Sequence, residues 1–318
     1  MMTMGEFELI KRYFDRPELR PGLAMDLGPG DDCALLQIPF KHQLAISSDT
    51  FVSGVHFFAD MAANQIAQRC LAASVSDLAA MGATPAWFNL CLTMPSANTL
   101  WVNSFSEGLA AQARSCAISL AGGDTTQGPL SISIHAMGYV PVGQAITRSG
   151  AQIGDVIMVS GSLGDSAAGL QVMQGQRNAA DPLSERFWNP TPRIALGQWL
   201  RGKATACLDI SDGLVQDLGH ILTASGCGAD LHMQNLPLSD ELLAHVSVSQ
   251  ARDFALNGGE DFELCFTLPA YLIDEAQAYS KSQSLPLTAI GHTSAELGCR
   301  VWHGDQGPFT PPQGYQHF

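Results

Sequence analysis

Five short segments gather carboxylates beside glycine, serine and threonine: Gly30-Asp31-Asp32, Ser47-Ser48-Asp49-Thr50, Gly122-Gly123-Asp124-Thr125-Thr126, Asp209-Ile210-Ser211-Asp212-Gly213 and Gly258-Gly259-Glu260-Asp261. Most adjoin apolar runs and read as turns at strand ends. One such Asp is ordinarily a turn residue or a helix cap. Five of them are harder to dismiss in a chain whose charged residues make up only 14%, against about 25% in an average globular protein. Carboxylates with glycines that permit close approach suit hard cations such as Mg2+.

Asp77 is the sharpest single residue. Ile66, Cys70, Ala73, Asp77 and Met81 follow one another at steps of 4, 3, 4 and 4, so a helix over Asn64–Met81 puts them on one face. That stripe is apolar except at Asp77. A carboxylate there costs free energy unless it is hydrogen-bonded, paired or metal-bound. Residues 70–85 contain no Lys or Arg, so no ion-pair partner lies within a helical turn of Asp77. Metal ligation is the favoured reading; an exposed edge of the stripe is the other.

Three further signals leave two readings each. Gly161-Ser162-Leu163-Gly164-Asp165 either offers backbone amides to an anion at a helix start or is a plain capped helix. Arg148, in Thr147-Arg148-Ser149-Gly150, either reaches a phosphate or is a solvated linker residue. His56, in Gly54-Val55-His56-Phe57, closely follows the Asp49 segment, but a lone His is more often structural. The chain has no G-x-x-x-x-G-K-[ST] loop and no protein-kinase signature set.

These residues must be held by a framework of alternating elements. Residues 4–15 read as an amphipathic helix through Phe7, Ile10 and Phe14. Expected strands follow at Cys33–Ile38, Gln43–Ser48, Ala86–Met94, Ala117–Leu120 and Leu130–Val140, with helices at Asn64–Met81 and Thr99–Ser115. The glycine-containing, aperiodic segment Val142–Asp155 marks a domain boundary, giving domains 1–145 and 146–318. Beyond it, strands are expected at Val156–Ser160, Ala204–Ile210, Asp230–Met233, Phe262–Leu268, Leu287–Gly291 and Cys299–Trp302. Helices are expected at Asp165–Gln174, Pro190–Leu200 and Gly213–Ala224, and near 239–246, 249–255 and 270–281. Interleaved strands and helices in both halves favour an α/β or α+β fold, and 318 residues suit about two domains.

Composition narrows the function. Sixteen basic residues against thirty acidic give a net charge of −14. That argues against nucleic-acid partners and anionic membranes, which need basic patches. A polyanionic substrate would need metal ions to neutralise an acidic site. The eight cysteines, Cys33, Cys70, Cys91, Cys116, Cys207, Cys227, Cys265 and Cys299, form no C-x-x-C pair and read as small core residues of a reducing compartment rather than a zinc site. With no signal-peptide pattern and no apolar run of ~20 residues, a soluble cytoplasmic protein is expected.

Taken in order, these segments, with Met4-Gly5-Glu6-Phe7, Gly28-Pro29 and Ser76-Asp77-Leu78-Ala79-Ala80-Met81-Gly82-Ala83, resemble the thiamine-monophosphate kinase family almost end to end. That family transfers the γ-phosphoryl group of ATP to thiamine monophosphate in the final step of thiamine diphosphate biosynthesis. The resemblance implies a two-domain aminoimidazole ribonucleotide synthetase-like fold, with N-terminal domains forming a shared β-barrel in a homodimer. It implies that Asp32, Ser47, Ser48, Asp49, Asp77, Asp124, Asp209 and Asp212 hold several Mg2+ ions, with Asp49, Asp124 and Asp212 the catalytic carboxylates among them. Gly123, Asp124, Arg148 and Ser211 would contact ATP; His56 and Glu260 would contact thiamine monophosphate. Ser48 stands where many relatives carry Thr, and Pro312 stands where the family places an aromatic against substrate, with Tyr315 the substitute. Other ATP-using enzymes of the fold are the alternatives. Selenophosphate synthetase, which usually has a reactive Cys or selenocysteine in a Gly-rich N-terminal segment, is disfavoured because the nearest Cys here, Cys33, lies beyond the acidic pair. A non-catalytic cation- or nucleotide-binding protein would share the acidic segments.

Overall fold

The computed structural model describes residues 5–23, 25–175, 180–304 and 306–309. The chain divides into two units, Met1–Ala79 with Ala83–Gly143, and Ala80–Gly82 with Gln144–Phe318.

The first unit runs α1 (Glu6–Tyr13), β1 (His42–Val52), α2 (Ala63–Ala80), β2 (Thr84–Met94), α3 (Thr99–Cys116), β3 (Ser119–Gln127) and β4 (Ser131–Pro141). Its four strands lie in the order β1-β4-β2-β3. β4 pairs antiparallel with β1 and β2, and β3 joins β2 in parallel. Strands β1 and β3 are therefore the two edges. Central β2 is apolar because its Trp87, Phe88, Leu90 and Leu92 are all buried. Small residues let α2 and α3 approach closely: a Cβ on Gly108 would lie 2.2 Å from the Asn64 carbonyl oxygen. The Asn98 side chain caps α3 by accepting from the amides of Leu100 and Trp101. Asn98→Ala is therefore expected to cost about 1 kcal/mol, a fall in melting temperature of about 2–4 °C. Calorimetry checks this, and activity should stay near wild type.

The second unit runs β5 (Val156–Ser160), α4 (Asp165–Gly175), α5 (Pro182–Trp188), α6 (Ile194–Leu200), β6 (Ala206–Asp209), α7 (Leu214–Ser225), β7 (Gly228–His232), α8 (Asp240–His245), α9 (Val248–Asn257), β8 (Leu264–Leu268), α10 (Ile273–Gln283), β9 (Leu287–Ser294), β10 (Gly298–His303) and β11 (Gln306–Phe309). The sheet order is β11-β10-β7-β9-β5-β8-β6. Within this sheet, only the β10–β7 pairing is parallel among the described residues. Ile157, Val159, Leu208 and Cys265 join one core with Leu214, Leu218 and Ile221 of α7. The alternating residues Met158, Cys207 and Phe266 join another with Leu196, Leu200 and Ala276. Side chains alternate across a strand, so a sheet buried on both faces needs the continuous apolar runs that the sequence carries.

Several expected boundaries move. Cys33–Ile38 is not a strand; Leu35 forms only an isolated bridge to Leu27, and Cys33 is exposed rather than a core residue. β3 starts at Ser119 and continues through Gly122–Thr126, because its parallel ladder with β2 runs from Trp87↔Ser119 to Met94↔Gln127. Likewise Ser47–Thr50 lies within β1 rather than in a turn, paired with β4 from His42↔Pro141 to Val52↔Ser131. The helix expected from Pro190 begins at Ile194, since Pro190 and Pro192 disfavour helical backbone in the residues before them. Helix α5, capped by Asp181 with Pro182 at its start, was not expected, nor was β11.

Candidate functional site

The first group forms where edge strand β1 faces α2. Ser47 and Asp49 alternate with Ser48 and share a strand face. Ser47 Oγ donates a hydrogen bond to Asp77 Oδ2. Asp49 accepts a hydrogen bond from Ser74, one helical turn before Asp77, and its pKa is pushed up to about 6 by burial and by the neighbouring Asp77 charge. Asp49 Oδ2 is buried without a hydrogen-bond partner. A buried carboxylate oxygen beside a second carboxylate and a hydroxyl fits a divalent cation, which would offset both the desolvation and the repulsion. Ser48 Oγ instead shares a hydrogen bond with His135 Nδ1 at 2.7 Å.

The second group lies at the opposite edge. Asp32 and Asp124 line a cavity of about 870 Å3, together with the Gly28–Ala34 segment, Leu90, Cys91 and Gly122–Thr125. Gly123 has φ +149°, and a Cβ there would lie 1.8 Å from the Leu90 carbonyl oxygen. Asp124 Oδ1 accepts the Thr125 amide at 2.9 Å. Among the described residues, no three His, Cys, Asp or Glu side chains form a cluster that could hold a metal unaided. The structure thus pairs Asp49 with Asp77 and places Asp32 and Asp124 in one cavity, without assembling a larger set.

His56 is half-buried. Its Nδ1 accepts the Val52 amide at 3.0 Å, which puts the neutral ring's proton on Nε2. Its ring meets Phe51 edge-on at 5.9 Å.

In the second unit, Asp209 ends β6 and is buried. The following turn, Ser211-Asp212-Gly213, is gripped by a residue that sequence reading missed. Asp217 Oδ2 accepts all three amides, at 2.9, 2.9 and 3.1 Å. Burial pushes the Asp217 pKa up to about 6 against the lowering effect of those bonds. An Asp four residues after Gly213, in the first turn of a helix, was the available signal. The Glu260 amide donates to the Ser211 carbonyl at 2.8 Å, so Ser211, Asp212 and Glu260 are brought together. Arg148 is exposed, and its carbonyl accepts from Ser225 Oγ at 3.3 Å. The amides of Gly164 and Ser166 donate to the carboxyl oxygens of Asp261, whose pKa burial pushes up to about 7, so an internal carboxyl group closes the start of α4. Tyr315 and Pro312 lie outside the described residues.

Glu263 was also missed. It is 1% exposed and accepts from Arg186 Nη2 at 2.8 Å, Arg193 Nε at 2.6 Å and Nη2, and Ser160 Oγ at 2.5 Å. Burial alone would raise its pKa; the bonds and charge of Arg193, with the charge of Arg186, hold it below the usual carboxylate range.

Residues 30–140 match the AIR synthase related protein N-terminal domain, and residues 152–304 the corresponding C-terminal domain. The chain is 47% identical to the thiamine-monophosphate kinase of Escherichia coli K12, over 100% of this chain and 99% of that protein. The crystal structure of thiamine-monophosphate kinase from Stenotrophomonas maltophilia K279a is 45% identical, with a TM-score of 0.86 over 94% of this chain and 97% of that one. A structure described as AaThiL complexed with AMPPCP and TMP is 29% identical, with a TM-score of 0.77 over 99% and 97% of the two chains.

Proposed function

This chain belongs to the thiamine-monophosphate kinase family, and we propose that it transfers the γ-phosphoryl group of ATP to thiamine monophosphate, giving thiamine diphosphate and ADP. The observation that carries this reading is 47% identity along the whole length of a kinase of that name. A relative whose structure contains AMPPCP and TMP supports the two substrates.

The nucleophile is a phosphate oxygen. A phosphate monoester has a second pKa near 6, so it is already ionised at neutral pH and needs no general base. The obstacle is repulsion between polyanions: unit charges 4 Å apart interact by about 4 kcal/mol at an effective dielectric of 20. Asp32, Ser47, Ser48, Asp49, Asp77, Asp124, Asp209 and Asp212 would hold Mg2+, with the partnerless Asp49 Oδ2 supporting the fit. Bound there, the ions would supply the positive charge that phosphoryl transfer requires. Gly123, Asp124, Arg148 and Ser211 would hold ATP, and His56 and Glu260 the thiamine phosphate. Transfer is direct and in line, through positioning and electrostatics; isolation of a phosphorylated enzyme that turns over competently would overturn this.

A homodimer and a cytoplasmic location belong to the same proposal. Edge strand β1 leaves Leu44, Ile46 and Val52 exposed, apolar surface that a second copy would cover. No described helix is long and apolar enough to cross a membrane.

The test is incubation with ATP, Mg2+ and thiamine monophosphate, with ADP and thiamine diphosphate quantified together. Equal, metal-dependent amounts of both are expected. ADP alone would indicate a hydrolase or another ATP-dependent reaction; neither, from folded protein that binds ATP, would indicate a binding protein.

A further inference from the structure

We propose that Asp261 is a positioning residue that fixes the direction in which Glu260 is presented to the thiamine phosphate; this rests on the reading of Glu260 as a substrate contact. Asp261 is 2% exposed. Its Oδ2 accepts the Gly164 amide at 2.7 Å and its Oδ1 the Ser166 amide at 3.1 Å. One carboxylate thus ties the Gly258–Glu263 segment to the first turn of α4.

The backbone on either side explains why such a tie is needed. Glu260 has φ 71° and Phe262 φ 51°, a left-handed conformation that L side chains adopt rarely. Strain of this kind persists only where the surroundings over-determine it. Two restraints are visible in the backbone: the Glu260 amide donates to the Ser211 carbonyl and the Phe262 amide to the Ile210 carbonyl, each at 2.8 Å. Gly259 lies so close that a Cβ would sit 2.3 Å from the Ser211 carbonyl oxygen. Any residue at 260 or 262 other than proline could donate those two amide bonds. The tie through the Asp261 side chain depends on residue type. Two amide donors on two carboxylate oxygens set the rotation of the 260–262 segment, and with it the line along which the Glu260 side chain leaves the backbone. An Asn at 261 keeps the shape but offers only one acceptor oxygen.

Steady-state kinetics on Asp261→Asn, Glu260→Gln and the double variant test this, with melting temperature as the control for folding. Asp261→Asn is expected to raise KM for thiamine monophosphate by about tenfold or more, as small displacements of a positioned group do, while KM for ATP stays near the wild-type value. The double variant should be no worse than Glu260→Gln, because Asp261 acts through Glu260. Multiplying effects, or an equal rise in both KM values, would make Asp261 a general structural residue and overturn the proposal. If Glu260→Gln itself leaves KM for thiamine monophosphate unchanged, the substrate role of Glu260 falls and the proposal with it. Should Asp261→Asn fail to fold, Asp261→Glu asks the same question: it keeps both oxygens but is one methylene longer, so it must shift the segment. A wild-type KM in a folded Glu variant would overturn the proposal.

Discussion

Asp49→Asn is expected to lower kcat by about a hundredfold or more, the scale seen when one preorganised electrostatic group is removed from an active site, with little loss of thermal stability. The asymmetry follows from the surroundings of Asp49. Asp49 is half-buried against α2, beside Asp77, and both that burial and the neighbouring charge oppose its ionised form. One oxygen has no hydrogen-bond partner. In the metal-free protein the charge is therefore a burden on folding, and the isosteric amide removes it. Under assay conditions the same charge would hold cation against the phosphates. Melting the two proteins in a chelator and assaying them across a Mg2+ titration separates the effects. The variant should melt at or above the wild-type temperature, and any residual activity should need more Mg2+. A melting temperature that falls in step with activity would assign Asp49 a structural role instead.

The sequence exposes some of this site directly. Asp77 stands out because a 3.6-residue period leaves it alone among Ile66, Cys70 and Ala73, and α2 forms where that period predicts. The apolar runs of β5 and β8 likewise read as strands, and the fold buries each of them on both faces. Ser47–Thr50 and Gly122–Thr126 mislead because short polar residues and glycine signal turns locally. In the fold they sit on the edge strands of a four-stranded sheet, where the ladder to one neighbour overrides local preference. The supporting residues are less legible still. Glu263 lies 70 residues from Arg193 and 103 from Ser160, and no periodicity links them. Arg186, beside Glu185 in the short helix Pro182–Trp188, gives no sequence sign of its partner; the fold brings Glu263, the residue before β8, to it.

That hidden cluster carries the largest expected loss of stability. Glu263→Ala leaves Arg186 and Arg193 without their shared carboxylate, and removing one partner of a buried ion pair costs about 3–5 kcal/mol. At about 2–4 °C per kcal/mol for a unit of this size, the melting temperature should fall by roughly 10 °C. Glu263→Gln keeps the volume and an acceptor for Ser160 but not the charge, and should fall between the two. The pH dependence identifies the charge itself. The Glu263 pKa is lowered in the folded protein from an ordinary value of 4.5, so the unfolded chain takes up the proton first as pH falls. The contribution is complete at pH values above 4.5 and fades as pH falls below it toward the lowered folded value. Wild type and Glu263→Gln should therefore differ most in melting temperature at neutral pH and converge under acid conditions. A gap that stays constant from pH 7 down to the acid limit of folding would mean that packing around Glu263, and not its ionised carboxylate, holds Arg186, Arg193 and Ser160 together.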